Sequence, residues 1–279
     1  MNRITRSLMR LLLLLSLLLG ACQTEVTSDT EIDERDLDAA YTSFLRDMVM
    51  YNTIALDDLN SMLAEEPPPF LLDVREFDEV METGHIEGAV VIPLRELGNR
   101  TDLLPTFDTT IVSYCGSGWR CTIAMTALEA LGWENVFSLR DGSFSGWIEA
   151  GYPTVTGLPK AVSLNVASPD PAMLTLMDDT LSNIPEELGM ITIDAVNIEL
   201  MTNPNLILID VRRSEDIQET GSIEGAVHIP LEEFIARKIE WPVDKSAKIM
   251  IYSSVGYRSI IAMTILWSYG YNDVWSLIG

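Results

Sequence analysis

Short apolar runs alternate along most of the chain with stretches whose apolar residues recur at helical spacing. Phe70–Leu72 and Thr110–Tyr114 are such runs, and Leu206–Ile209 and Lys248–Tyr252 follow further on. Near-continuous apolarity over so few residues is what a strand covered on both faces requires, as in a parallel sheet. The second run of each pair leads into a glycine-containing turn and then a helical segment, Thr122–Leu131 or Ile260–Tyr269, ended by Gly132 or Gly270. Asn135–Leu139 and Asp273–Leu277 supply one further strand each. This alternation predicts an α/β fold with a mainly parallel sheet and ligand-binding turns at the strand ends.

The pattern occurs twice because the sequence does. Leu72–Leu97 aligns with Ile209–Phe234 at an offset of 137, with fifteen of twenty-six positions identical; unrelated segments would share about one or two. The common core reads Leu72-Asp73-Val74-Arg75, Gly84-His85-Ile86-Glu87-Gly88-Ala89 and Ile92-Pro93-Leu94. One residue later in register, Tyr114–Leu128 matches Tyr252–Leu266. A chain of 279 residues has room for two domains at roughly 100–200 residues each. The predicted boundaries are 41–158 for the first and 172–279 for the second, with 159–171 as linker inside the proline-bearing Val155–Pro171 stretch. The second copy stops at Gly279 without a counterpart of Ser143–Tyr152, so it is expected to leave apolar sheet surface uncovered and to be the less stable half.

Residues 1–21 read as an address. Arg3, Arg6 and Arg10 precede Leu11–Leu19, which is apolar apart from Ser16; a span needs about 20 residues, and this core has the length of a signal peptide. It ends in Leu19-Gly20-Ala21-Cys22, which resembles the lipobox of bacterial lipoproteins. The resemblance implies that Cys22 becomes the lipidated first residue and holds the chain on the extracytoplasmic side of a cell-envelope membrane. Ordinary secretory cleavage near Ala21 and an uncleaved anchor are the other readings. Residues 22–40 read as an acidic, solvated tether.

Charge narrows the partners further. Lys and Arg number 18 against 42 Asp and Glu, a net charge of −24 that becomes −27 once the three leader arginines are removed. Such a field repels phosphate backbones and argues against nucleic acid as a partner. Two histidines and three cysteines form no zinc-ligand spacing, and no EF-hand pattern occurs. Neither metal nor cofactor is expected.

The candidate chemistry lies in Cys115-Gly116-Ser117-Gly118-Trp119-Arg120, a turn from a buried strand into a helix. A cysteine there faces unpaired backbone N–H groups and the positive end of the helix dipole, and Arg120 adds a charge. Both favour the thiolate, so the thiol should ionise below its free value of about 8.5. Glycines at 116 and 118 let the backbone wrap a sulfur or an oxyanion.

The Asp-Val-Arg strand end, the Gly-His-Ile-x-Gly-Ala segment and the Cys-x-x-Gly-x-Arg loop together resemble the rhodanese family of sulfurtransferases. The resemblance covers nearly everything after residue 40. It implies a five-stranded parallel sheet flanked by helices in each domain. It also implies that Cys115 takes the outer sulfur of a donor such as thiosulfate, forming a persulfide that a thiol or cyanide acceptor discharges. Gly116, Ser117, Gly118, Trp119 and Arg120 would form the persulfide-binding loop, with Arg120 fixing the loop and favouring the anion. Arg140, in the turn Leu139-Arg140-Asp141-Gly142, is a candidate anion-attracting group. The family has two glycines where this chain has Asp141-Gly142, followed here by one extra residue.

Asp73, Arg75 and Glu87 match family positions read as structural, and His85, replaced by Ser222 in the second copy, reads as a turn residue. Trp119 and Tyr257 share one repeat position and could wall a pocket or cap a helix. The second copy keeps the loop frame, Ser253-Ser254-Val255-Gly256-Tyr257-Arg258, but a serine hydroxyl cannot form a persulfide, so that copy should be non-catalytic. A phosphatase of the dual-specificity type would need Cys-x5-Arg. A thiol–disulfide enzyme would place its resolving cysteine at Cys-x-x-Cys, whereas Cys121 lies six residues on; it is expected to modulate oxidation without taking part in turnover. A lipoprotein that binds sulfide or persulfide, or a protein partner, without turnover is the alternative function.

Overall fold

A computed structural model describes residues 32–278. The first copy runs α1 (Glu34–Asp47), β1 (Thr53–Ile54), α2 (Leu56–Met62), β2 (Phe70–Asp73), α3 (Phe77–Thr83), β3 (Val90–Val91), β4 (Ile111–Tyr114), α4 (Trp119–Ala130), β5 (Val136–Leu139) and α5 (Ser143–Glu149). The second runs α6 (Pro171–Ser182), β6 (Met190–Thr192), α7 (Ile193–Thr202), β7 (Ile207–Asp210), α8 (Ser214–Thr220), β8 (Val227–His228), β9 (Ile249–Tyr252), α9 (Tyr257–Ser268) and β10 (Val274–Ile278). Each copy builds a five-stranded sheet, ordered β1-β5-β4-β2-β3 and β6-β10-β9-β7-β8. Every pairing is parallel. The predicted α/β architecture is therefore present twice. The apolar runs became the inner strands, and β4 and β9 are buried at every position. The strands without a sequence signal, β1, β3, β6 and β8, have two or three residues each and lie toward the sheet edges.

The tether reading needs correction at its end. Asp33 caps α1 by accepting from Arg35 N, and Leu37, Tyr41, Phe44 and Leu45 are buried. That i, i+4, i+7, i+8 stripe makes Glu34–Ala40 part of an amphipathic helix; Glu34 and Asp36 are exposed and, with Asp38, gave the segment a tether-like composition. The leader, Cys22 and the start of the tether lie outside the described residues. Among the described residues no helix is long and apolar enough to cross a membrane.

The two copies exchange their leading helices. Tyr41 of α1 accepts a hydrogen bond from Ser268 Oγ of α9 (3.0 Å), and Asp38 accepts from Tyr269 Oη (2.6 Å) and Lys238 Nζ. Conversely, α6 lies on the 94–103 region of the first copy, where Asn99 Nδ2 donates to Asp178 Oδ1 (2.7 Å). Gly98 allows that approach: a Cβ there would fall 2.5 Å from Asp178 Cα. These helices, α4 and α9 share one continuous hydrophobic core.

The opposite sheet faces differ. In the first copy Leu59, Leu71, Val112, Leu139, Phe144 and Trp147 belong to a buried cluster that α5 closes. In the second, only Val196, Leu208 and Met250 of the corresponding cluster are buried, and Trp275 and Leu277 remain half-buried against it.

Candidate active site

Cys115 directly follows β4, the central strand of its sheet, and α4 begins four residues later behind Gly118. Gly118 adopts φ +108°, a left-handed conformation that turns its N–H back onto the sulfur. That N–H donates to Cys115 Sγ at 3.2 Å, and the N–H groups of Cys121 and Ser117 also face it. The residue is 1% exposed, while Ser117 in the loop above it is exposed. Burial by itself pushes the thiol up; the Cys121 thiol and the three amides outweigh it and bring Cys115 down to about 6.

Cys121, expected from the sequence to modulate oxidation without taking part in turnover, lies directly against Cys115. Its Sγ lies 3.7 Å from Cys115 Sγ, beside the Gly118 carbonyl oxygen at 3.2 Å, and it accepts from Ser138 Oγ at 3.2 Å. Burial and the neighbouring Cys115 sulfur push its own thiol well above the ordinary range. The pair therefore shares one proton asymmetrically, with Cys121 as donor and Cys115 as thiolate. The six-residue spacing brings them together because the first turn of α4 folds residue 121 back under residue 115.

The residue that sequence reasoning missed is Ser143. Asp141, Gly142 and Ser143 all have positive φ (58°, 84° and 53°), a strained run at the extra residue noted in this turn. It aims Ser143 Oγ at Cys115 N (3.0 Å). The next two residues of α5 donate back, Phe144 N to Cys115 O (2.9 Å) and Ser145 N to Gly116 O (3.1 Å). The backbone on both sides of the thiolate is thus clamped from one helix start.

Asp73 and Arg75 are braces, as their strand-end position implied. They form a buried ion pair (2.6 Å); Arg75 also donates to Thr83 Oγ1 and Gly84 O and lies 3.7 Å above the Phe144 ring. His85 is buried, and its backbone pairs in both directions with Val155. Glu87 is exposed and lines a surface cavity of about 460 Å³ with Asn60, Pro68 and Trp147.

Three loop assignments change. Arg120 forms a two-pronged ion pair with Glu79, so its charge is largely met there; the Cys115 charge acts on it only as a secondary influence. The thiolate rests chiefly on Cys121 and the backbone amides, with the Arg120 charge favouring it as well. Arg140 pairs with its neighbour Asp141 at 3.1 Å on the surface and is not brought against Cys115 by any hydrogen bond. Trp119 leaves its own loop and packs over Gly256 of the second copy, where a Cβ would meet its ring at 2.8 Å. Tyr257 makes the reciprocal crossing, its hydroxyl 3.7 Å from where a Cβ on Gly118 would stand. The two rings face each other at 6.4 Å. Each copy thus walls the other's loop.

The second copy repeats the frame with oxygen for sulfur. Ser253 Oγ accepts from Gly256 N (3.1 Å) and lies 3.2 Å from Ser259 Oγ. Ser276 Oγ donates to Ser259 (2.9 Å), as Ser138 does to Cys121. Arg258 pairs with Asp216 (2.7 Å). Among the described residues no group of three or more His, Cys, Asp or Glu could hold a metal ion.

Comparison with known proteins agrees with this construction. The model of the rhodanese-like domain matches residues 55–150 and again 195–279. An HTH-type transcriptional regulator of Mycobacterium tuberculosis is 38% identical over 91 residues, which are 32% of this chain and 38% of that protein. A tRNA uridine(34) hydroxylase of Xanthomonas oryzae is 31% identical over 116 residues, 40% of this chain and 45% of that one. The solved thiosulfate sulfurtransferase of Pseudomonas aeruginosa superimposes with a TM-score of 0.41 at 19% identity, covering 88% of this chain and 46% of its own. The chain spans less than half the length of each of these three. Matched in both of its halves, the chain belongs to the rhodanese-like family.

Proposed function

We propose that the protein is a sulfurtransferase that takes up sulfur on Cys115, the second copy supplying no nucleophile. The observation that carries this reading is a nearly buried thiol brought down to about 6 inside a ring of backbone N–H groups. The thiolate attacks the outer sulfur of thiosulfate or a similar donor; the donor's S–S bond breaks and sulfite leaves with the electron pair. The anionic persulfide stays in the amide loop, which stabilises it as an oxyanion hole stabilises an oxyanion. A thiol or cyanide then takes the outer sulfur, and Cys115 departs readily because its thiolate is a weak base. The second copy is non-catalytic and supplies Tyr257 to the wall of the first copy's loop. The lipobox-like leader supports an anchor on Cys22 at the extracytoplasmic side of a bacterial membrane.

A thiosulfate:cyanide assay with intact-mass measurement tests the reaction. A peptide containing Cys115 should gain one sulfur, transiently in the wild type, and lose it to cyanide. Cys115→Ser should abolish turnover, and Ser253→Ala should leave it largely intact. Turnover surviving in Cys115→Ser, or no donor adding sulfur to either the wild type or Cys121→Ser, would overturn the reading in favour of a binding protein.

A further inference from the structure

We propose that Cys121 resolves the Cys115 persulfide, forming a Cys115–Cys121 disulfide, expelling the outer sulfur as hydrosulfide, and leaving a dithiol reductant to restore both thiols. This rests on the sulfurtransferase reading and names the acceptor class for the same site.

The geometry supplies the nucleophile. Cys121 Sγ is 3.7 Å from Cys115 Sγ and needs to close to about 2.05 Å to bond it. That approach is to the inner sulfur, the atom whose attack releases sulfide rather than passing sulfur on. Both residues are at most 1% exposed, so an external thiol has less access to the inner sulfur than Cys121 already has. Placing the two reactants together replaces a bimolecular encounter by an internal one, with effective concentrations up to about 10⁵ M or more. The second copy holds the same contact between Ser253 and Ser259 at 3.2 Å; this position is built to keep two groups in mutual contact, and only the first copy makes both of them sulfur.

The step balances without an outside oxidant. The oxidising equivalent is the sulfane sulfur of the donor. The Cys121 thiol and the anionic Cys115 persulfide become a disulfide and one hydrosulfide ion, the thiol proton leaving on the expelled sulfur. Cys121 stays protonated in the resting enzyme because burial, and the Cys115 thiolate beside it, oppose a second charge. Once Cys115 carries the added sulfur its own Sγ is neutral, the charge moves to the outer atom, and that opposition falls. A dithiol then reduces the disulfide in two exchanges and ends as its own cyclic disulfide.

The test uses the full chain, without oxygen and without reductant, given thiosulfate equal to its Cys115. Released sulfide and intact mass are read together. Wild type should release one sulfide per Cys115 and end two hydrogens lighter than it began. Cys121→Ser should retain the added sulfur and release sulfide at least about tenfold more slowly. Ser259 already shows that serine suits this position in the fold, and discharge of the variant's persulfide by cyanide confirms an intact Cys115. A wild-type persulfide that persists without sulfide, or equal sulfide release from both proteins, overturns the proposal. Absence of added sulfur on both proteins overturns the sulfurtransferase reading instead.

Discussion

Replacing Cys121 by alanine should raise the pH at which Cys115 becomes reactive. Burial is the largest influence on that thiol and opposes its ionisation; the Cys121 thiol heads the groups that reverse it, ahead of the N–H groups of Cys121, Gly118 and Ser117. A hydrogen bond to a charged group contributes about 1.5–3 kcal/mol, and a thiol is a weak donor, so the lower end applies. At 1.36 kcal/mol per pH unit, losing it should move the midpoint up by about one pH unit from the present value of about 6. The assay is the rate of iodoacetamide alkylation of Cys115 between pH 5 and 9. At pH 6 the wild type is half ionised and the alanine variant about one-tenth, so alkylation should be about fivefold slower. Above pH 8 the two rates should converge. Cys121→Ser keeps a donor hydroxyl and should hold the midpoint near the wild-type value. An unchanged midpoint in Cys121→Ala would show that the amides suffice. A rate lowered equally at every pH would indicate lost packing and refute the electrostatic argument.

Two further outcomes follow from other parts of the fold. Burial pushes the Glu129 carboxyl up to about 8 while Asn52 Nδ2 donates to it at 3.1 Å; its neutral form favours the folded state, an advantage complete at low pH and lost as pH rises from the unfolded value near 4.5 through the folded one. Glu129→Gln should therefore leave Tm nearly unchanged at pH 4 and raise it progressively toward pH 8, whereas an equal gain at both pH values would contradict the assignment. In the second copy, the thinly covered sheet face should let residues 206–277 exchange amide hydrogens faster than residues 71–139, and equal protection in the two spans would contradict that expectation.

Most of the frame was legible because its determinants are local. Strands covered on both faces show as apolar runs, a glycine loop shows as spacing, and a duplication shows as identity at a fixed offset. The edge strands were not legible: two residues at Thr53–Ile54 or Val90–Val91 carry no periodicity and pair only because a neighbouring strand offers hydrogen bonds. The acidic composition of residues 34–40 concealed a helix whose Leu37 and Tyr41 are buried, since composition averages over faces that a helix separates. The Glu79 partner of Arg120 was hidden for a related reason. The motif position places Arg120 beside the loop, but Glu79, on a different helix, decides where its charge is spent.

What remained hidden is the reciprocity between the copies. Trp119 and Tyr257 occupy one repeat position, 138 residues apart, and each lies over the glycine that starts the other's helix. A residue at a helix start normally screens its own loop. Here α4 and α9 join one core, so an aromatic ring leaving either helix start reaches the opposite loop more readily than its own. Gly118 and Gly256 must then serve two demands at once, a left-handed backbone that points an N–H at the sulfur or oxygen, and a bare surface under a foreign ring. A side chain at Gly256 would press on Trp119 of the catalytic copy from 2.8 Å, so the constraint on the serine loop comes partly from the cysteine loop. The copy without the nucleophile is thereby tied to the one that has it, through packing that no single repeat contains.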